Sequence, residues 1–193
     1  MLYELRAYDL TPGMGPAYLD LFRKQGLQYV TCHLPMGGYW LTDSGALNRL
    51  YHLWIYADLE ERLACRASLA TDKDWNETFV PKGFPLIQAQ RNRLMVLEAG
   101  SDAFASIKES RQESHAAQTE DTPMFAAGYL CLTESDVTLP HEGALLGQWR
   151  VISGEDPGKI ITLSRLVGAT PPPPGAGVQR SELLRSASFS PLK

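Results

Sequence analysis

The chain has 193 residues, of which 44% are hydrophobic and 21% are charged, a composition typical of a folded globular protein and not of a disordered one. This length permits one large domain or two small ones. A formal net charge of -4 gives no basic field for a polyanion, so we expect no nucleic acid partner.

The cysteines and the apolar segments predict the compartment. Cys32, Cys65 and Cys131 form no CxxC pair, and their odd number cannot pair completely within the chain, which favours a reducing environment. The sequence has no apolar run of about 20 residues, the length that spans a bilayer, so we expect no membrane partner. Residues 2–6 do not resemble a basic and apolar leader, and we therefore expect a cytoplasmic protein.

Alternating and helical patterns divide the first 98 residues into six elements. Pro12 and Gly13 stop the first strand, Pro16 is placed to begin the first helix, and Ser44-Gly45 suits a hairpin turn. The predicted strands cover 2–10, 37–43, 47–57 and 86–97, and the predicted helices cover about 16–32 and 58–79.

The second predicted helix has a recognisable start. Asp58 with Glu61 three residues later forms a capping pair. The residues that continue one apolar face of this helix are Leu59, Leu63, Ala67 and Ala70.

The element order β-α-β-β-α-β is that of the split βαβ, or ferredoxin-like, unit. Both helices of such a unit cover the same face of its sheet. The other face needs a cover, which a second unit of this chain or a second subunit could supply.

The second half of the chain partly repeats the first. Gly38-x-Trp40 followed by Ser44-Gly45 recurs as Gly147-x-Trp149 followed by Ser153-Gly154, at a constant offset of 109 residues. An apolar, strand-like run follows each copy. This pattern indicates a degenerate internal repeat.

The repeat predicts an α+β fold in which tandem ferredoxin-like units form a dimeric α+β barrel-type structure with a degenerate second unit. Pro171 to Pro174 stand where the second unit should have its second helix, and such a run favours a polyproline loop. The predicted domains are 1–98 and 123–193, joined by 99–122, with a helix near 103–117. The first and last strands of the second domain are expected at 124–133 and 181–189.

Side-chain alternation along the strands predicts a candidate site. Tyr3, Leu5 and Ala7 suit packing under helices. The uncovered face would then carry a mixed aromatic and polar set: Glu4, Arg6, Tyr8, Trp40, His52, Trp54 and Tyr56. Apolar walls with a few polar groups are typical of a small-molecule cavity.

These residue types suggest the chemistry of that cavity. Arg6 could hold a carboxylate or an oxyanion through its planar guanidinium, and His52 could exchange a proton near neutral pH. With Tyr8 they form the predicted catalytic set, and the predicted substrate-binding set is Glu4, Tyr39, Trp40, Trp54 and Tyr56. The four histidines show no spacing typical of metal ligands, so we expect neither a metal nor a cofactor.

A packing role for the same residues remains open. Glu4 and Arg6 could form a partly buried ion pair, and Trp40 and Trp54 could fill a core between sheets or between subunits. Burying Arg6 and His52 only to fill space would be costly, which favours a function for these two.

Several motifs of the first half together resemble the NIPSNAP family. They are YELRxYxLxPG from Tyr3, GYWxTxxGxLN from Gly38, HLWxY from His52 and LxxRxxxRxxLxxDxxW from Leu59. The resemblance covers about residues 1–98. It implies a dimeric α+β barrel, in which two ferredoxin-like units enclose a cavity, and the second half departs from the family pattern.

Residues and resemblance together predict a bacterial small-molecule enzyme of secondary metabolism, active as a homodimer and without a metal. Its expected substrate is a polar aromatic or polyketide-like metabolite, and the expected reaction is an oxygenation, an isomerisation or a dehydration inside the barrel. The alternative hypothesis is a non-catalytic ligand-binding protein or an oligomeric scaffold.

Overall fold

The computed structural model describes residues 1–139, 144–167, 171 and 173–193. The strands in this part of the chain are β1 (Leu2–Leu10), β2 (Met36–Ser44), β3 (Arg49–Tyr56), β4 (Ile87–Gly100), β5 (Leu130–Ser135), β6 (Leu145–Gly154), β7 (Ile160–Arg165) and β8 (Val178–Ser186). The helices are α1 (Gly15–Leu21), α2 (Leu27–Thr31), α3 (Leu59–Thr71), α4 (Val80–Gly83) and α5 (Asp102–Glu109). Single π-helical turns lie at Phe22–Gly26 and Trp75–Phe79, and a 3-10 turn lies at Phe84–Leu86.

The strands close into a barrel in the order β1-β3-β2-β8-β5-β7-β6-β4. Each half contributes four strands in the ferredoxin-like order, β4-β1-β3-β2 and β8-β5-β7-β6. Antiparallel pairing of β2 with β8 and of β4 with β6 joins the halves. The predicted fold class is confirmed, and the second half supplies the cover that the first sheet needs. The homodimer and the domain limits stay predictions.

The internal repeat corresponds to the second strand of each half. Trp40 on β2 and Trp149 on β6 are buried inside the barrel, and each indole lies over the glycine two residues before it. A methyl group on Gly38 or on Gly147 would overlap that indole. Glycine is therefore required because the tryptophan occupies the space of its side chain.

The helices of the first half form one layer on the outside of its sheet. Gly15–Thr31 is continuous through α1, the first π turn and α2, which confirms the first predicted helix. A Cβ atom on Gly26 would lie 2.8 Å from the ring of Phe79, so this glycine lets the two π turns approach closely. None of the helices in the described ranges is long and apolar enough to span a membrane. The cytoplasmic location stays a prediction.

Helix α3 confirms the predicted start but not the predicted inner face. Asp58 accepts a hydrogen bond from the backbone N–H of Glu61 at 2.9 Å. Leu59 and Leu63, which the spacing placed on one apolar face, are 54% and 64% exposed. The helix turns Arg62 and Arg66 to the sheet instead, since both donate hydrogen bonds to the buried Glu4.

Two hydrophobic cores lie on the two sides of the first sheet. Tyr3, Leu5 and Ala7 pack inside the barrel with residues of the second half. The face that carries Tyr8 and Trp54 packs under the helices. The prediction that helices leave this face uncovered is therefore wrong. Both faces of the sheet are buried. The alternation of side chains along a strand therefore sorts residues into two faces but does not show which face the helices cover.

The predicted elements of the second half are shifted. Helix α5 ends at Glu109, and β5 begins at Leu130, after a turn in which Gly128 has a φ of +84°. The intervening segment packs against the first helix: the N–H of Gln118 donates to the carbonyl of Arg23 at 2.9 Å. The predicted proline loop at 171–174 lies partly outside the described residues.

Replacing Gly147 with alanine tests the glycine-tryptophan packing. The added methyl group would overlap the Trp149 indole, and overpacking a filled core is destabilising. We expect Gly147→Ala to lower the free energy of unfolding by about 2 kcal/mol or more, measured by urea denaturation. Gly175→Ala is the control, because its methyl group meets no atom within 4 Å. Equal stability of the two variants would contradict this packing.

Candidate small-molecule site

A cavity of about 150 Å³ lies between the helices and the first sheet. The residues that line it are Arg6, Tyr8, Tyr18, Phe22, Val30, Leu34, Tyr39, His52, Trp54, Arg66, Leu69, Trp75, Phe84 and Gln90. Phe84 and Gln90 are exposed, and the side chains of Arg6 and Arg66 are 18% and 24% exposed, so these four form the mouth. Tyr18, Tyr39 and His52 are buried at the inner end.

The barrel interior, where the sequence predicted the cavity, is filled. The space left there is about 10 Å³, lined by apolar residues that include Trp40 and Trp149. That is room for about one water molecule. Trp40 packs inside the barrel, on the opposite face of the sheet from His52 and Trp54, so its predicted place beside them is wrong. The reason is a register shift after Met36, which offsets the alternation of side chains along β2.

The Glu4 carboxylate holds together β1, α3 and β4. It is fully buried and accepts hydrogen bonds from Arg62 and Arg66 at 2.8 Å and from Asn92 at 2.9 Å. Burial opposes ionisation, but the hydrogen bonds from Arg62, Asn92 and Arg66 and the charge of Arg66 outweigh it and lower the pKa of Glu4 to about 2. Glu4 is thus an anionic structural anchor and does not line the cavity.

Arg6 is only loosely paired, which leaves its charge at the cavity mouth. Its Nη1 atom lies 3.9 Å from a Glu4 oxygen, a longer contact than those of Arg62 and Arg66. Its Nη2 atom donates to the amide oxygen of Gln90 at 2.8 Å. Its buried Nε atom has no hydrogen-bond partner among the described residues. The partly buried Glu4–Arg6 ion pair that the sequence left open is therefore present, but it is the longest of the ion pairs that Glu4 makes.

His52 is held in a defined tautomer. The indole N–H of Trp54 donates to Nδ1 of His52 at 2.6 Å, and an indole nitrogen can only donate. Nδ1 is therefore the acceptor, and the neutral ring carries its proton on Nε2. Burial, followed by the charges of Arg6 and Arg66, holds the pKa of His52 well below its usual value. Within the described structure, Nε2 is buried without a partner.

Tyrosine hydroxyls add further donors beside His52. The Tyr8 ring meets the His52 ring edge-on at 4.6 Å, and the Tyr39 ring stacks on it at 5.1 Å. Burial raises the pKa of Tyr8, and raises the pKa values of Tyr18 and Tyr39 well above the usual range. All three phenols therefore stay protonated.

Of the remaining predicted site residues, one lines the cavity and one does not, and further residues join the lining. Trp54 lines the cavity, whereas the fully buried Tyr56 lies outside its lining. The lining residues that the sequence did not single out come mainly from the helices and include Tyr18, Phe22, Arg66 and Trp75. Phe22 and Trp75 begin the two π turns, a helix irregularity that is frequent at functional sites. The spacing of Phe22 and Trp75 in the sequence indicates only ordinary packing of a helix against a core.

The closed barrel of two ferredoxin-like halves places the chain in the α+β barrel class. Residues 3–102, just over half of the chain, match the NIPSNAP family model. The chain belongs to the NIPSNAP family.

Relatives of this family match mainly the first half. NipSnap homolog 3B of Mus musculus is 35% identical over 96 residues, which are 49% of this chain and 38% of that protein. This chain therefore spans less than two fifths of that relative. A solved protein of Agrobacterium tumefaciens is 34% identical with a TM-score of 0.51 and covers 53% of this chain and 98% of its own. Relatives from a mammal and a bacterium leave the bacterial source a prediction.

Another solved structure matches both halves. It is described as an anthrone oxidase-like protein and covers 100% of this chain and 94% of its own, with a TM-score of 0.56. At 8% identity, this likeness shows the fold alone. It agrees with the α+β barrel fold in both halves of the chain.

The buried Glu4 makes stability depend on pH. Its pKa in the folded chain, about 2, is below the ordinary 4.5, so the ionised carboxylate stabilises the fold above pH 4.5 and loses this effect towards pH 2. We expect the difference in unfolding free energy between wild type and Glu4→Gln to be about 2 kcal/mol smaller at pH 3 than at pH 6. Urea denaturation at both pH values measures it. Glu109→Gln, at an exposed position on α5, should show no such change.

The tautomer of His52 can be observed directly. We expect its imidazole nitrogen shifts to report a neutral ring with the proton on Nε2 and no titration near the usual histidine pKa of 6.5. Long-range ¹H–¹⁵N correlation spectra measure this, and loss of the signals in His52→Gln assigns them. Titration near pH 6.5, or a proton on Nδ1, would contradict the structure.

Proposed function

We propose that the chain is a small-molecule enzyme whose site is the cavity under the helices, and that its substrate is a compact, polar aromatic metabolite with an anionic group. Arg6 binds the anionic group. Tyr8 and the neutral His52 donate hydrogen bonds to an oxygen on which negative charge develops. Trp54 and the other aromatic walls exclude water.

The observation that carries this proposal is the excess of donors in the cavity. Its lining includes the loosely paired guanidinium of Arg6, three protonated phenols and one imidazole N–H, and the described lining contains no carboxylate. The second guanidinium of the lining, Arg66, is paired with Glu4 behind the wall. A ligand must match this with acceptor atoms, and an anion does so best. Aromatic rings such as Phe22 and Trp75 supply the apolar area that binds a planar ring.

The volume limits the size of the substrate. A cavity of about 150 Å³ is of the size that holds a benzene molecule in an engineered protein core. It suits a single ring with small substituents that reach the mouth. This favours a monocyclic metabolite over the larger polyketide-like compounds that the sequence also suggested.

The arrangement supports reactions that pass through an oxyanion. Isomerisation, dehydration and oxygenation of a ring compound can each proceed through an enolate or a phenolate. Neutral donors that are fixed in place and shielded from water stabilise such a charge strongly. A neutral histidine with a lowered pKa can polarise a carbonyl group as a hydrogen-bond donor, which is the role that the tautomer of His52 supports.

Binding of benzoate and its neutral analogue benzamide tests this site. We expect wild type to bind benzoate at least tenfold more tightly than benzamide, because only benzoate is an anion that can pair with Arg6. Arg6→Met should weaken benzoate about tenfold and leave benzamide nearly unchanged. Isothermal titration calorimetry measures the affinities, and amide shift changes in the NMR spectrum locate the ligand.

Arg150→Met is the matched control. Arg150 lies on β6 with its side chain 44% exposed and pairs with Glu98, away from the cavity lining. This variant should bind benzoate like wild type. Equal affinities for benzoate and benzamide, or shift changes that miss the cavity, would reject the proposed site.

A further inference from the structure

Three arginines surround the buried carboxylate of Glu4. Arg62 and Arg66 donate hydrogen bonds to it at 2.8 Å, and Nη1 of Arg6 lies 3.9 Å from one of its oxygen atoms. In the described part of the chain, none of these arginines forms an ion pair with another acidic residue. One negative charge therefore faces three positive charges, and two positive charges are left without a partner.

The donors of this cluster also outnumber its acceptors. The Glu4 carboxylate is shared by the arginines and by Asn92, which donates to it at 2.9 Å. In each of Arg6, Arg62 and Arg66, the Nε–H is buried and has no hydrogen-bond partner among the described residues. Buried donors are nearly always paired, because leaving one unpaired costs free energy. The surplus of charge and the surplus of donors both indicate an anionic ligand.

The surplus charge lies at the mouth of the cavity. Arg6 and Arg66 line the cavity, whereas Arg62 does not. They contact the two oxygen atoms of the same carboxylate, so their guanidinium groups are neighbours. The guanidinium carbon of Arg6 lies 5.4 Å from the centre of the Tyr8 ring, and that of Arg66 lies 6.0 Å from the Trp54 ring. A ligand ring between these aromatic walls would place its anionic group beside both guanidinium groups.

We infer that the anionic group of the substrate carries two negative charges and bridges Arg6 and Arg66. This inference rests on the proposed function, which pairs one anionic group with Arg6, and it adds the second charge and the second guanidinium. A phosphonate and an adjacent pair of carboxylates are groups of this kind, and guanidinium groups bind both with paired hydrogen bonds. The substrate class is a ring compound with a doubly charged oxyanion at the cavity mouth.

Two pairs of probes that differ mainly in charge test this inference. Phenylphosphonate and phthalate are doubly charged at pH 8, whereas the monomethyl ester of each carries a single charge. We expect at least one of the two dianions to bind wild type about tenfold more tightly than its own ester, the value of one charge-assisted hydrogen bond. Isothermal titration calorimetry measures the ratios. The pair that shows the difference identifies the phosphonate or the dicarboxylate as the group that is recognised.

Variants assign the preference to the second guanidinium at the mouth. Arg66→Met should reduce the preference for the dianion to less than about threefold, with benzoate affinity nearly unchanged because Arg6 remains. Arg62→Met is the matched control, since it removes a hydrogen bond to the same carboxylate from a residue outside the cavity lining. This control should keep the preference within about threefold of the wild-type value.

A measurement on wild type covers the case in which Arg66→Met fails to fold. In the NMR spectrum, the Nε–H signal of Arg66 should shift on addition of the preferred dianion but not of its ester. Arg6-dependent benzoate binding without tighter binding of either dianion overturns this inference and leaves the proposed function standing. A preference that persists in a folded Arg66→Met also overturns this inference. Absence of binding by benzoate and by both dianions overturns the proposed function.

Discussion

The buried carboxylate of Glu4 is the constraint on which the site depends. A fully buried carboxylate needs several hydrogen-bond donors, and here α3 and β4 supply them. This requirement sets the rotation of α3: Arg62 and Arg66 must face the sheet, and the leucines of the helix are left outside. Arg66 thereby reaches the cavity wall. Since Glu4 is already satisfied by α3, the charge of Arg6 stays available for a ligand.

The position of the cavity follows from how the two sides of the sheet are filled. Inside the barrel, side chains from both halves interdigitate, and an eight-stranded barrel of this kind is just wide enough to be filled. Under the helices, two π turns and Gly26 bring the helices together at Phe79. The rings beside that contact leave a gap over His52 that neither layer fills. A site in this layer can recruit polar groups from helices as well as from strands.

Sequence patterns predicted much of this structure. Alternation and turn residues placed the six elements of the first half, and the glycine-tryptophan repeat located the second sheet, because both depend on local spacing. The site was predicted only in part. Arg6, Tyr8, Tyr39, His52 and Trp54 do line a cavity, but the face was assigned to the wrong side of the sheet. Which layer covers a face depends on contacts between distant residues such as Glu4 and Arg66, and spacing within one strand does not encode them.

The second half does more than close the barrel. Its final residues return to the first half: the Ser190 hydroxyl accepts from the backbone N–H of Tyr39 at 2.9 Å, and Phe189 packs against the Tyr39 ring at 5.3 Å. The inner wall of the cavity is therefore supported by residues beyond the segment that matches the NIPSNAP family. The family segment provides the polar groups that line the cavity, and the rest of the chain supports β2, the strand that carries Tyr39. Because Ser190 and Phe189 support Tyr39 from the side away from the cavity, the structure favours a cavity of fixed size over one that adapts to many ligands.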